Sequence, residues 1–260
     1  MKNTMKEITK NFPEGMEPLG KKQFKFRCHD GVDCYMICCR NVDMFLYPYD
    51  ILRLKEALNI TSQEFIEQYV RVVKGVAHPY FPSVMLRLTD DENKACPFLS
   101  EIGCSVYNNR PSACRTYPLE RGVDRSPEKR VAHDFYLLTS HDYCHGHKEE
   151  NFFTVKEWIR DQRLEDYNMM NDLWAEVDTI FSENPWAGEG IGGPKQQIAF
   201  TICYDIDNFR IMAAKHNLIE RFLIPRAQKR RINESDTELL KFGFEWLKNF
   251  LGQPSSLISK

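Results

Sequence analysis

The sequence predicts a mostly α-helical α+β protein: a small metal-centred, cysteine-rich α/β core with short strands, followed by a helical C-terminal half. Three observations predict it. Seven of the nine cysteines fall between residues 28 and 114, in segments whose alternating apolar runs are short. Helix-period runs lie between the two cysteine clusters, over residues 47–69. After residue 150 apolar residues recur at three- and four-residue intervals, the period of a helix face. The expected organisation is an irregular N-terminal arm over 1–20, a cysteine-cluster metal-binding domain over 21–150 and a helical region over 151–260.

Residues 1–20 carry Pro13, Gly15 and Pro18 and no helical period, hence the arm. Next come the first cysteines and then YPYDILRLKEALNI, a helix with Ile51, Leu54 and Leu58 on one face. Thr61 or Ser62 caps a second helix, with Glu64 placed for a capping box and Phe65, Ile66 and Tyr69 apolar. Val84, Leu86 and Leu88 alternate as a strand that leads into the turn Asp90 to Asn93. Residues 102–107 read as a hairpin turning at Gly103, and Arg130 to Leu138 as another strand. Thr154 caps one long helix running to Phe181 through Trp158, Tyr167, Met170, Trp174 and Val177. Beyond the Gly/Pro loop 184–196, helices are expected over Ile206 to Asn217 and Thr237 to Leu251. The basic run Arg226 to Arg231 reads as a solvated helix face or loop.

Composition narrows the function classes. The chain has 260 residues, 42% of them apolar and 28% charged, which is enough to bury a core and excludes disordered or fibrous polymers. Thirty-five basic against 37 acidic residues leave a formal charge of −2, so no global field favours nucleic acid. No run approaches the ~18 apolar residues of a membrane-spanning helix. The first sixteen residues carry scattered charges and no apolar stretch, unlike a secretory signal, so a cytoplasmic chain is expected.

A reducing cytosol makes a dense cysteine set a metal or redox site rather than a disulfide framework. The first cluster is Cys28-x5-Cys34-x3-Cys38-Cys39, with Gly31 giving the first interval freedom to fold back. The second is Cys96-x7-Cys104-x9-Cys114, and Cys144 follows in HDYCHGH. These eight sulfurs suffice for one four-iron cluster with thiols to spare or for two tetrahedral zinc sites. Adjacent side chains point in different directions, so Cys38 and Cys39 seldom bind one ion together, and one of them can serve a second site or a thiol switch. Cys203 reads as a lone buried thiol. His141, His145 and His147 flank Cys144 and can either join a mixed Cys/His site or simply belong to a polar loop; His29 lies beside Cys28. Arg27, Arg40 and Arg115 stand next to Cys28, Cys39 and Cys114, where cations can offset the charge of a thiolate cluster or remain ordinary surface charge. The run GEGIGG at 188–193 is not a dinucleotide site, because a helix rather than a strand precedes it.

The four cysteines ending in a vicinal pair, then CPFL and GCSVYNNRPSACRTYP, then Cys144-His-Gly, resemble the YkgJ-like cysteine-cluster family, a zinc- or iron-chelating family, over about residues 24–147. The resemblance implies metal chelation by Cys28, Cys34, Cys38, Cys39, Cys96, Cys104, Cys114 and Cys144, most often described as an iron–sulfur protein or oxidoreductase of undefined substrate. The family's first block is often tighter than the one here, and its last usually reads Cys-Pro-Gly.

A 4Fe–4S cluster is therefore expected in preference to zinc, with a redox or cluster-assisted role and an unknown redox or protein partner. Three alternatives are a zinc-stabilised interaction protein, a thiol switch at Cys38 and Cys39, and a methylation role similar to that of flagellin lysine N-methylases, which carry a similar cysteine block.

Overall fold

Local signals mark the starts of two helices. Thr61 accepts a hydrogen bond from the Glu64 amide while the Glu64 carboxylate takes the Thr61 amide, and Thr154 and Glu157 do the same for a later helix. Each box satisfies two amides that a first turn leaves orphaned. In the computed structural model, which describes residues 16–124 and 133–260, the chain is a helix-dominated α+β protein, as the sequence predicts.

The order of elements is β1 (Met16–Pro18), β2 (Phe24–Lys25), α1 (Pro48–Leu58), α2 (Ser62–Tyr69), β3 (Val70–Val73), β4 (Ser83–Leu86), β5 (Leu99–Ser100), β6 (Gly103–Cys104), α3 (Ser112–Thr116), β7 (Leu119–Asp124), β8 (His133–Thr139) and β9 (Phe152–Phe153). Then come α4 (Val155–Asp161), α5 (Glu165–Ser182), α6 (Pro194–Tyr204), α7 (Ile206–Lys215), α8 (Arg226–Glu234) and α9 (Asp236–Phe250). The described residues group into two compact units, residues 16–42 with 113–165 and residues 43–112 with 166–260. Residues 1–15, most of the expected arm, lie outside the described residues, and 16–18 are the strand β1.

The first unit is built on an antiparallel sheet of order β1-β8-β7, in which Met16 faces Thr139 and Leu119 faces Leu138. A second pair, β2 and β9, sets Phe24 opposite Phe153. Leu19, Phe24, Phe26, Leu119, Tyr136, Trp158 and Leu164 form one buried cluster, with Trp158 edge-on to Phe24 at 5.7 Å and to Phe26 at 5.6 Å. Each such side chain contributes about 1.5–3 kcal/mol on burial. Its indole donates to the Thr116 carbonyl at 2.9 Å, so the largest ring of the cluster is also satisfied as a donor.

The long helix expected from Thr154 to Phe181 is two. Arg163 stands at φ 51°, Leu164 N–H donates to Ile159 O and Arg163 N–H to Arg160 O, which is a Schellman stop closed by a left-handed residue other than glycine. Leu164, fully buried in the same cluster as Ile159, supplies the apolar contact that accompanies such a stop. The apolar period runs through the break, so periodicity alone joins the two helices.

In the second unit α1 buries Ile51, Leu52 and Leu54, and β3 pairs with β4 in the register Val70 to Leu86. The expected alternation in β4 gives way to continuous burial of Val84, Met85 and Leu86. The expected hairpin is displaced: β5 and β6 turn at Glu101 and Ile102, and Gly103, at φ 130°, opens the return strand. Phe81 lies within 4.4 Å of Phe181 and 5.9 Å of Trp186, centroid to centroid, in an aromatic core with Trp174 and Tyr204. The basic run Arg226 to Arg231 is the exposed side of α8, which buries Ile232 alone. Helix α6 was not foreseen; the Gly/Pro loop before it ends at Pro194, its first residue. Among the described residues no helix is long and apolar enough to cross a membrane.

Candidate metal centre

The clustered cysteines divide between the units. Cys28, Cys34, Cys38, Cys39, Cys114 and Cys144 belong to the first, and Cys96 and Cys104 to the second. No disulfide joins them; Cys28, Cys38 and Cys114 are exposed and the other five half-buried.

In the first unit, chain segments far apart in sequence present sulfurs to one another. After β2 the chain runs through Cys28 and a turn to Cys34, and a single 3-10 turn, Ile37–Cys39, presents the vicinal pair. Cys144 leads a second 3-10 turn, His145–Lys148. The backbone joins these segments: Arg27 N–H donates to Gly146 O and Phe26 N–H to Asn151 O, both at 3.0 Å. Gly146 makes this approach possible, since a Cβ there would stand 2.8 Å from both the Arg27 carbonyl oxygen and the Phe26 ring. His145 N–H then donates to Cys34 Sγ at 3.1 Å.

The electrostatics mark these thiols as one group. Burial pushes the Cys144 thiol up, the Tyr117 hydroxyl and the Gly146 amide pull it back, and Cys34 and Cys38 raise it further. A hydrogen bond with Cys39 draws Cys38 down to about 7 against the effect of burial. Tyr143, raised first by burial, also feels Cys38, Cys144 and Cys34. A thiol whose ionisation is disfavoured by burial and by two neighbouring sulfurs, as Cys144 is, is a place where positive charge is favourable.

Several features fit a thiolate-bound metal. Amide N–H groups donate to Cys34 and Cys144, as outer-shell donors do for thiolate ligands. The Tyr117 hydroxyl and His147 Nε2 are buried without a hydrogen bond of normal geometry. His147 is kept low by burial, with the Lys25 and Thr139 backbone beside it. The donor chemistry therefore fits, although no three His, Cys, Asp or Glu side chains among the described residues stand close enough to enclose an ion in this arrangement.

The arginines differ from one another. Arg27 and Arg40 are exposed, whereas Arg115 is 4% exposed and sends Nη1 to the Gln162 carbonyl at 2.6 Å, at the C-terminal end of α4 where a cation suits the helix dipole. His29 Nε2 pairs with Glu149 at 3.1 Å and its Nδ1 accepts from Gly31 N–H. In the second unit Leu99 faces Cys104 across the hairpin, and burial raises the Cys104 thiol against the Val106 amide. Cys203 is buried in the core of the same second unit with its thiol pushed well up, as a lone apolar cysteine should be. Sequence reasoning missed Tyr117, Tyr143 and the amides of His145 and Gly146; the run Cys114-Arg-Thr-Tyr-Pro was the one signal that could have pointed to Tyr117.

Residues 27–145 match the family model CxxCxxCC, described as a putative zinc- or iron-chelating domain. The comparisons with curated proteins and with solved structures gave no match. The family's name spaces its first thiols by two residues, where this chain has intervals of five and three. Over residues 27–145, a stretch that holds all eight clustered thiols, the chain resembles the YkgJ-like cysteine-cluster family of zinc- or iron-chelating domains.

Proposed function

We propose that the first unit holds a 4Fe–4S cluster in a redox or cluster-assisted role, with Cys34, Cys38 and Cys144 as ligands and the fourth drawn from Cys28, Cys39 or Cys114. The observation that carries the reading is the hydrogen bond from His145 N–H to Cys34 Sγ, made between residues 111 apart, which brings the two cysteine segments of this unit together. When bound, the cluster supplies one-electron transfer. The chain's own part is to hold and tune it. The His145 and Gly146 amides spread thiolate charge, and Arg27 and Arg40 lie close in sequence to offset what remains. The apolar cluster of Phe26 and Trp158, with Tyr117 packed on it, lies against Cys144 and limits water on that side of its sulfur.

Uneven spacing supports iron–sulfur over zinc, because structural zinc sites favour paired knuckles of two to four residues and only the Cys34 to Cys38 and Cys34 to Cys39 intervals come near that. The reading is tested by metal and sulfide analysis of protein purified without oxygen. Stoichiometric zinc without sulfide would make the centre a structural staple instead, and the search would turn to what the helices of residues 166–260 bind.

A further inference from the structure

In the second unit exposed apolar side chains meet cations at a single antiparallel bridge, which joins Phe222 to Ser259. Leu223 N–H donates to Ile258 O at 2.8 Å and Lys260 N–H to Arg221 O at 3.0 Å. Leu223 therefore lies opposite Ile258, and Arg221 opposite Lys260. Phe222 is buried edge-on to Phe242, whereas Leu223 is 61% and Ile258 65% exposed. Two aliphatic side chains thus stand in water across from each other, with a pair of cations beside them.

Helix α8 brings further charge to the same place. Glu220 pairs with Lys229 on α8 and with Lys260 on the bridge, so both elements converge on one carboxylate. Arg230 lies 3.7 Å from Glu234, while Arg221, Arg226 and Arg231 are exposed and form no ion pair among the described residues. Arg226 opens the first turn of α8, where the helix dipole favours an acid and none is present. That placement costs the helix stability, and an anion outside the chain would offset the cost. A phosphate polymer would match the arginines but leave Leu223 and Ile258 in water. An anionic bilayer matches both, with the aliphatic pair below the headgroups and the arginines among the phosphates. We propose that this surface, made of Arg221, Leu223 and Ile258 with Arg226 and Arg231 of α8, docks on an anionic lipid bilayer. Docking there uses no residue of the metal centre.

The test is flotation of the full chain with vesicles of phosphatidylcholine alone and of phosphatidylcholine and phosphatidylserine in equal parts. The chain binds the mixed vesicles and not the neutral ones, and binding falls as salt screens the charges. Arg221→Gln with Arg226→Gln weakens it by about 25-fold, about 5-fold for each cation near the surface. Leu223→Ser with Ile258→Ser weakens it by at least about 10-fold, through the apolar area no longer taken out of water. Both variants melt near the wild-type temperature, because every changed side chain is exposed. Failure to float with the mixed vesicles overturns the proposal, as does equal binding to phosphatidylcholine alone. Unchanged affinity in the serine variant also overturns it, and the basic surface would then be one for an acidic protein or a nucleic acid.

Discussion

The amide of His145 donates to the sulfur of Cys34 at 3.1 Å, across 111 residues of chain. One strand pairing, and the hydrogen bond that continues it, make this meeting possible. β2 lies against β9, so the segment before Cys28 and the segment after Cys144 enter the site as neighbours, and the Arg27 to Gly146 hydrogen bond continues the pairing toward the sulfurs. The centre is thus assembled by long-range backbone pairing, with the thiols at its end.

Removing either sulfur of this meeting should therefore cost the metal. Cys34→Ser and Cys144→Ser are each expected to weaken binding by more than the roughly 100-fold upper scale of an outer-shell loss. Cys203→Ala is expected to leave metal content unchanged and to lower stability by about 1 kcal/mol, as a small cavity in an apolar core does. Metal per protein and urea midpoints for the three variants check this.

Gly146→Ala separates backbone approach from ligand chemistry, since it removes no donor. Its Cβ would press on the Arg27 carbonyl and the Phe26 ring, each at 2.8 Å. A loss of about 1–3 kcal/mol in stability is expected, the usual cost of overpacking, together with reduced metal occupancy. Wild-type stability and metal content in this variant would mean that the turn has room the geometry does not show.

The second unit carries a buried ion network with a definite pH signature. Lys55 Nζ lies 2.7 Å from Asp236 and 3.1 Å from Asp207, and Arg210 lies 2.6 Å from Asp236. Burial works against each charge, but the hydrogen bonds win: Lys55 is raised above its ordinary 10.5 and Asp236 held below its ordinary 3.8. Asp236 therefore contributes stability that is complete above about pH 4 and lost as pH falls through its lowered folded value. Lys55 contributes stability that is complete below about pH 10 and lost as pH rises through its raised folded value. Asp236→Asn should flatten the acid limb of a stability–pH curve. Lys55→Met should cost about 2–3 kcal/mol at pH 7, less than a fully buried pair because Asp207 is a third exposed.

Arg163→Gly should stabilise the protein by about 0.5–1 kcal/mol. The residue is exposed at φ 51°, where an L side chain is strained and glycine is not, and part of that relief is returned as chain entropy. A thermal melt above wild type is the expected result, and an unchanged or lower melt would mean that the Arg163 side chain stabilises the stop.

These residues also show what the sequence could and could not reveal. The capping box at Thr61 and the cap residue Thr154 were legible because their chemistry is complete within four residues. The stop at Arg163 was not, because its signal is a backbone angle without the usual glycine. Strand β3 and strand β7 escaped notice because VRVV and LERGVD owe their state to partners, Leu86 for Val70 and Leu138 for Leu119. All eight clustered thiols were legible as residue types and spacing. Their division between two units was not, since it follows from segments 16–42 and 113–165, distant in sequence, folding together. Tyr117 escaped because an orphaned hydroxyl is a property of packing.

The central claim is most directly tested by purifying the protein without oxygen and measuring iron, zinc and acid-labile sulfide per chain, with visible spectra before and after dithionite. A 4Fe–4S centre predicts about four irons and four sulfides, with a brown chromophore that bleaches on reduction. A colourless protein with stoichiometric zinc and no sulfide would contradict it.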